Sequence, residues 1–208
     1  MLEPLFRGKI ACIGKYQIDY PDPFLNRRMS AREGWVAAEE CGEPMVAIPG
    51  GEPLIHKEIG EIVAGLVARK KFVSLCTNAL LLEKKLHLFK PSPYLFFSVH
   101  LDGLRDHHDK AVSQVGVFDK AVKAIKAALK RGHRVTTNTT LFDDANPERV
   151  RKFFDEMMGL GVEGKMISPG YSYQKAPDQQ HILNRSRTTE MFPKILSHRK
   201  RRGPFNPV

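Results

Sequence analysis

The sequence predicts an α/β fold built on a parallel sheet, and three observations carry that reading. Six short runs rich in β-branched and aromatic residues alternate with runs of helical period, their starts spaced roughly 20–45 residues apart. Polar and glycine-bearing segments follow strand after strand: Gly50-Gly51-Glu52-Pro53, Thr77-Asn78, His100-Leu101-Asp102-Gly103, Asn138-Thr139 and Ser168-Pro169-Gly170. In α/β barrels the site is assembled at such C-terminal strand ends. No G-x-G-x-x-G turn follows the first run, which counts against a dinucleotide-binding sheet. These residues leave an open doubly wound sheet and a partial barrel both open.

Each element has a local reason. Leu2–Phe6 is the first predicted strand. Ser30-Ala31-Arg32-Glu33 reads as a capping box that starts a helix running toward Cys41-Gly42. Met45–Ile48 is the second strand. Ile59, Ile62, Val63, Leu66 and Val67 recur at helical spacing. Phe72–Leu75 is the third strand, Leu80–Phe89 a helix ending before Pro91, and Leu95–Val99 the fourth strand. Phe118, Val122, Ile125 and Leu129 share one helix face, with Lys120, Lys123, Lys126 and Lys130 on the other and Gly132 as the stop. Val135–Leu141 is the fifth strand. Asn146-Pro147 caps and starts a helix with the stripe Val150, Phe153, Phe154 and Met157. Lys165–Ser168 is the sixth strand. A last helix spans Arg187–Leu196, with Pro193 predicted to break or kink it.

At 208 residues the chain is one domain, 42% hydrophobic and 27% charged, as soluble globular proteins are. Its apolar stretches, such as Tyr94–Val99, fall far short of the ~18 residues of a membrane span. Met1-Leu2-Glu3-Pro4 does not open like a signal peptide. Three cysteines, Cys12, Cys41 and Cys76, make no disulfide framework and point to the reducing cytosol. The net charge is +10, and residues 101–208 hold 20 of the 33 basic side chains, among them Lys194, Arg199, Lys200, Arg201 and Arg202. Such a field suits phosphates or peripheral contact with an anionic membrane, or is a solvated tail. With no RNP-type aromatic motif or helix-turn-helix signature, no nucleic-acid partner is expected.

Gly50-Gly51-Glu52-Pro53 is the sharpest short motif. Two glycines after a strand let backbone approach a ligand closely, and a carboxylate follows that suits a cation. Ala47-Ile48-Pro49-Gly50-Gly51-Glu52-Pro53-Leu54, Leu75-Cys76-Thr77-Asn78-Ala79 and Ser98-Val99-His100-Leu101-Asp102-Gly103 resemble, in order, motifs of radical S-adenosylmethionine (SAM) enzymes. Longer blocks narrow this: Met1-Leu2-Glu3-Pro4-Leu5-Phe6-Arg7, Ile18-Asp19-Tyr20-Pro21-Asp22-Pro23, Cys76 through Lys85, Ser168-Pro169-Gly170-Tyr171 and Ala176 through His181. Over essentially the whole chain they resemble the adenosylhopene transferases of hopanoid biosynthesis.

That resemblance implies a partial (βα)6 TIM-like barrel of the radical SAM type over residues 1–196, followed by a basic tail, 197–208. It implies a four-iron four-sulfur cluster, SAM as cofactor, and addition of a 5′-deoxyadenosyl radical to a hopene-type lipid by a cytoplasmic transferase that can sit at the membrane periphery. Gly50, Gly51 and Glu52 match the motif whose backbone holds the SAM amino group. Ser98, Asp102 and Asn138 match polar positions near the ribose and methionine carboxylate. Cys76 is the candidate catalytic hydrogen donor, against the alternative of a small core cysteine.

The family's C-x3-C-x2-C cluster motif falls on Gly8, Cys12 and Lys15, so Cys12 is the one cluster ligand that remains. The family's extra N-terminal segment and cysteine-bearing C-terminal region have no counterpart in this sequence, which reads as a truncated, impaired copy. Two alternatives are a non-catalytic remnant keeping a SAM- or lipid-shaped pocket, and a metal-dependent barrel hydrolase using His100, His107, His108 and Asp109.

Overall fold

Each strand of the sheet is the hydrogen-bonded neighbour of the next strand along the chain. The computed structural model describes residues 1–4, 27–170 and 183–197. The strands are β1 (Met45–Ile48), β2 (Phe72–Thr77), β3 (Leu95–His100), β4 (Arg134–Leu141) and β5 (Gly164–Pro169), in the order β1-β2-β3-β4-β5 and all parallel. A doubly wound sheet reverses its strand order part-way and carries helices on both faces. Here the order never reverses, so right-handed crossovers place every helix on one face. The sheet curls into a half-barrel whose other face is left open, and this decides between the two architectures the residues allowed.

The helices are α1 (Ala31–Glu40), α2 (Ile59–Ala68), a one-turn α3 (Leu82–Lys85), α4 (Arg105–Ala111), α5 (Val117–Lys130), α6 (Pro147–Gly159) and α7 (Arg185–Leu196). Strand side chains alternate between the two faces. Val73, Leu75, Leu95, Phe97, Val99 and Val135 are buried in one cluster with Ile62, Val63 and Leu66 of α2 and Phe118, Ala121 and Ile125 of α5. Fully burying each large aliphatic stabilises by roughly 1.5–3 kcal/mol. The alternate positions, among them Ser74, Cys76, Ser98, His100, Thr136 and Asn138, share the open face. Helix α1 docks on α2 through Trp35, whose indole N–H donates to the Ile62 carbonyl at 3.1 Å. A Cβ on Gly65 would lie 2.2 Å from that indole, so the contact needs glycine there.

The capping box is formed: Ser30 Oγ accepts from the Glu33 amide, and the Glu33 carboxylate accepts from the Ser30 amide. Four expectations differ. The sheet has five strands among the described residues. Of the expected first strand Leu2–Phe6, only residues 1–4 are described; there the Leu2 amide donates to the Ala47 carbonyl at 2.8 Å, running beside β1 without a ladder. The helix expected over Leu80–Phe89 is one α turn followed by a 3-10 turn, Leu86–Leu88. Asn78 and Ala79 explain it, because the Asn78 side chain accepts from the Leu80 amide and Ala79 sits at φ +63°, a turn that delays the helix. Helix α4 is an addition, short and polar enough to carry no periodic signal. Finally, α7 runs through Pro193, which removes one donor with a single turn still to follow, and Asn184 caps its start through Arg187 N–H at 2.8 Å.

Candidate functional site

At the end of β1 the chain turns through Gly50, φ +105°, into Glu52 and a 3-10 turn, Pro53–Ile55. Glu52 is 1% exposed. Its Oε1 accepts from Thr77 Oγ1 at 2.8 Å and the Leu54 amide at 3.1 Å, and its Oε2 accepts from the Asn78 amide at 2.9 Å. The carboxylate therefore ties the loop after β1 to the end of β2. Its backbone, with that of Gly50 and Gly51, forms the rim beside them.

The open face carries polar side chains in register. Cys76 pairs with Ser98, Ser98 with Thr136 and Thr136 with Gly164, so thiol and two hydroxyls lie level across three strands. Ser98 Oγ and Thr136 Oγ1 are buried, and no described protein group makes a well-formed hydrogen bond to either. Cys76 lies within β2 rather than after it, half-buried. Burial pushes its thiol up, the Ser74 and Ser98 hydroxyls beside it pull the other way, and the Glu52 charge adds to the rise. Two residues further on, His100, Asn138 and Met166 form the next row.

Asp102 is buried just past β3. Its Oδ2 meets His100 Nε2 at 2.9 Å, and its Oδ1 accepts from the Thr140 amide at 2.9 Å. Burial alone would raise this carboxyl, but His100 and the Thr140 amide outweigh it and hold the pKa below the usual value. The Asp102 amide donates to His108 Nδ1 at 3.2 Å, which makes that nitrogen the unprotonated one. Burial takes His108 down to about 4, against the pull of Asp102, so it is neutral at physiological pH.

The structure thus brings Gly50, Glu52, Cys76, Ser98, Asp102 and Asn138 to the C-terminal end of the sheet; Cys12 lies outside the described residues. Sequence reasoning missed Ser74 and Thr136, and considered His100 only for a hydrolase. The β register was the missing signal. The hydrolase set is not assembled: Asp109 instead accepts from the Gly116 and Phe118 amides at the start of α5, and His107 lies 3.7 Å from Asp144. Among the described residues no group of three or more His, Cys, Asp and Glu side chains converges as a metal site. A groove of about 400 Å³ between α6 and α7, lined by Arg151, Arg187 and Glu190, lies away from this site.

Residues 14–157 match the family model of the radical SAM superfamily. The chain belongs to that superfamily. It is 26% identical over 150 residues to GTP 3′,8-cyclase of Clostridium botulinum, covering 65% of this chain and 47% of the relative. It is 25% identical over 198 residues to Fe-coproporphyrin III synthase of Methanosarcina barkeri, covering 87% and 49%. Its fold matches SuiB of Streptococcus suis with a TM-score of 0.77 at 16% identity, over 95% of this chain and 46% of that one. The chain spans about half the length of the curated relatives it matches.

Radical SAM homologues bind SAM and a four-iron four-sulfur cluster. For the cluster, the donors here do not fit. Three thiolates hold such a cluster when SAM takes the fourth iron. The resembling positions supply one, Cys12, beside a glycine with no donor atom and a lysine whose amine is protonated. Cys41 cannot replace them: it caps the C-terminus of α1, leading into the start of β1, at the opposite end of the sheet from Gly50. For SAM, the residues do fit. The buried Ser98 and Thr136 hydroxyls are free to pair with a polar ligand, and the Gly50 turn opens the rim to one.

Proposed function

We propose that the chain is an adenosylhopene-transferase-type scaffold, one that binds SAM and a hopene-type alkene, impaired in this copy at the cluster. The observation that carries the reading is Cys76 on the open face, level with the unpaired Ser98 and Thr136 hydroxyls. Backbone of Gly50, Gly51 and Glu52 would hold the SAM amino group; Ser98, Asn138 and the Asp102 region would face its ribose and carboxylate. SAM supplies the 5′-deoxyadenosyl group. With a cluster ligated elsewhere supplying one electron, the S–C5′ bond of SAM would break, methionine would leave, and joining the 5′-deoxyadenosyl group to the alkene would leave a carbon-centred radical. Cys76 would quench it: the S–H bond would break, a C–H bond would form, and the sulfur would be restored by one proton and one electron from a one-electron donor. A thiol kept protonated by burial suits hydrogen donation better than nucleophilic attack.

Exposed apolar side chains on the open face suit a hydrocarbon: Met166 in the row of His100 and Asn138, and Met45 and Phe72 at the strand starts, each at least 44% exposed. The lysine face of α5 and the basic residues beyond α7 support contact with an anionic membrane surface from the cytoplasmic side, and no described helix is long and apolar enough to cross one. The count of one thiolate favours a second reading, a non-catalytic remnant that keeps the pocket. Equilibrium dialysis with SAM, then anaerobic iron and sulfide addition with a 5′-deoxyadenosine assay, separates them. SAM bound without cluster or cleavage is the remnant. Cluster with cleavage is a live enzyme. No SAM binding at all defeats the scaffold reading.

A further inference from the structure

One glycine on the open face has no backbone or packing reason to be there. Gly164 opens β5, in register with Thr136 and level with Cys76 and Ser98. Its φ lies outside the left-handed region that calls for glycine. Among the described residues a Cβ there would meet only Thr136 Cγ2 within 4 Å, at 3.5 Å, an ordinary van der Waals contact. Glycine inside a strand gives up backbone order and packing, and it often marks a place where a ligand comes close to the backbone. The side chains around Gly164 make a trough. The level running Cys76, Ser98, Thr136, Gly164 carries small side chains, the level above it carries His100, Asn138 and Met166, and the level below carries Phe96 and Arg134. Neighbouring strands lie about 4.8 Å apart, so the trough is about 14 Å long from Cys76 to Gly164. Ser98, 1% exposed, lies within it, and its Oγ makes no well-formed hydrogen bond to a described protein group. Toward β5 the walls turn to carbon: Thr136 presents its methyl to Gly164, and Met166, 48% exposed, stands two residues further along the same face.

We propose that Gly164 is the size-determining residue of the alkene site, its missing side chain leaving a niche at the β5 end of the trough that admits a wide, fused-ring hydrocarbon. This rests on the reading of the open face as a site for an alkene. The reacting double bond lies at the Cys76 end, and the rings extend across Phe96 and Thr136 to Gly164. Each carbon added at Gly164 takes volume from the ligand and touches the described fold only at Thr136. A slim, unbranched alkene lies along the trough with or without the niche.

The test compares the full chain with Gly164→Ala, Gly164→Val and Gly164→Leu, each in the presence of SAM. Two hydrocarbons are offered from methyl-β-cyclodextrin, hop-22(29)-ene as the wide alkene and 1-hexadecene as the slim one. Bound hydrocarbon is measured by gas chromatography after gel filtration, and bound SAM by dialysis. Uptake of the wide alkene should fall stepwise along the series, by about tenfold or more at Gly164→Val, while 1-hexadecene and SAM change by less than about twofold. Should the two larger variants fail to fold, Gly164→Ala reads the same selectivity through a loss of about two- to threefold in the wide alkene alone. Equal uptake of the wide alkene by parent and folded variants overturns the role of Gly164, and so does a loss shared equally by both alkenes and SAM. A parent that binds SAM and takes up neither hydrocarbon defeats the alkene reading itself, and the niche with it.

Discussion

Replacing Glu52 with glutamine separates a brace from a ligand-facing carboxylate. Among the described residues the carboxylate accepts from Leu54 N, Thr77 Oγ1 and Asn78 N, and it is 1% exposed. An amide has one acceptor oxygen. Left in place at Oε1 it still serves Leu54 and Thr77, but its NH2 group then faces the Asn78 amide, donor against donor. Hydrogen bonds to a charged group are worth roughly 1.5–3 kcal/mol, and a buried donor left unpaired adds about 1–3 kcal/mol. Removing a buried charge offsets part of this, so a net loss of about 2–4 kcal/mol is expected. For a chain of this size that is a fall in melting temperature of roughly 5–15 °C. Thr77→Val removes two bonds, the one it donates to Glu52 and the one it accepts from the Ala79 amide at 3.0 Å, and should fall by a comparable amount. The assay is thermal unfolding followed by circular dichroism, with SAM dialysis on the same samples. A glutamine variant that melts within about 1 °C of the parent, a shift too small for a lost brace, yet loses SAM, would refute the brace and make Glu52 a direct ligand.

The parent chain should bind no stoichiometric cluster on anaerobic reconstitution; Gly8→Cys with Lys15→Cys should gain far more iron and sulfide than the two single changes summed, because ligands to one cluster act together. Stability should fall as pH drops from 6.5 through about 4: the unfolded chain protonates His108 first, since the folded His108 is held at about 4, at up to about 1.4 kcal/mol per pH unit. His56 and His133 are lowered by burial in the same sense, and His108→Gln should flatten the His108 share in acid-unfolding curves. Gly65→Ala, whose Cβ meets the Trp35 indole at 2.2 Å, should cost about 1–3 kcal/mol in urea unfolding; an unchanged midpoint would mean α1 shifts freely on α2.

What was legible in the sequence was local or repetitive. Ser30 and Glu33 lie three residues apart and carry their capping instruction themselves. The amphipathic stripe of α5 repeats over four turns, and the β-branched run of β4 needs no partner to be seen. What was not legible depends on distant residues or on one backbone angle. Leu80–Phe89 has good helical composition, but the left-handed Ala79 is invisible in the letters. Glu52 stood out as a motif, while its partners Thr77 and Asn78 come 25 and 26 residues later and are set by strand pairing. The adjacency of Cys76, Ser98 and Thr136 follows from register alone. The His-rich segment read as ligand chemistry because its residue types suit metal, whereas Asp109 is committed to two amides at a helix start.

A sheet whose strands follow the chain also has consequences for how it assembles. Met45 pairs with Phe72, Val73 with Leu95, Phe96 with Arg134 and Thr136 with Gly164, so neighbouring strands meet after 27, 22, 38 and 28 residues. Loop-closure entropy grows only with the logarithm of length, so the longest and shortest of these differ by about half a kcal/mol. No pairing is kinetically privileged by chain length, and none waits on a remote segment. Folding can begin at any βα step and spread to both sides, with the speed of a protein of moderate contact order. Loss of an edge strand leaves the register of the remaining pairs intact. A half-barrel of this order is modular in time as well as in space.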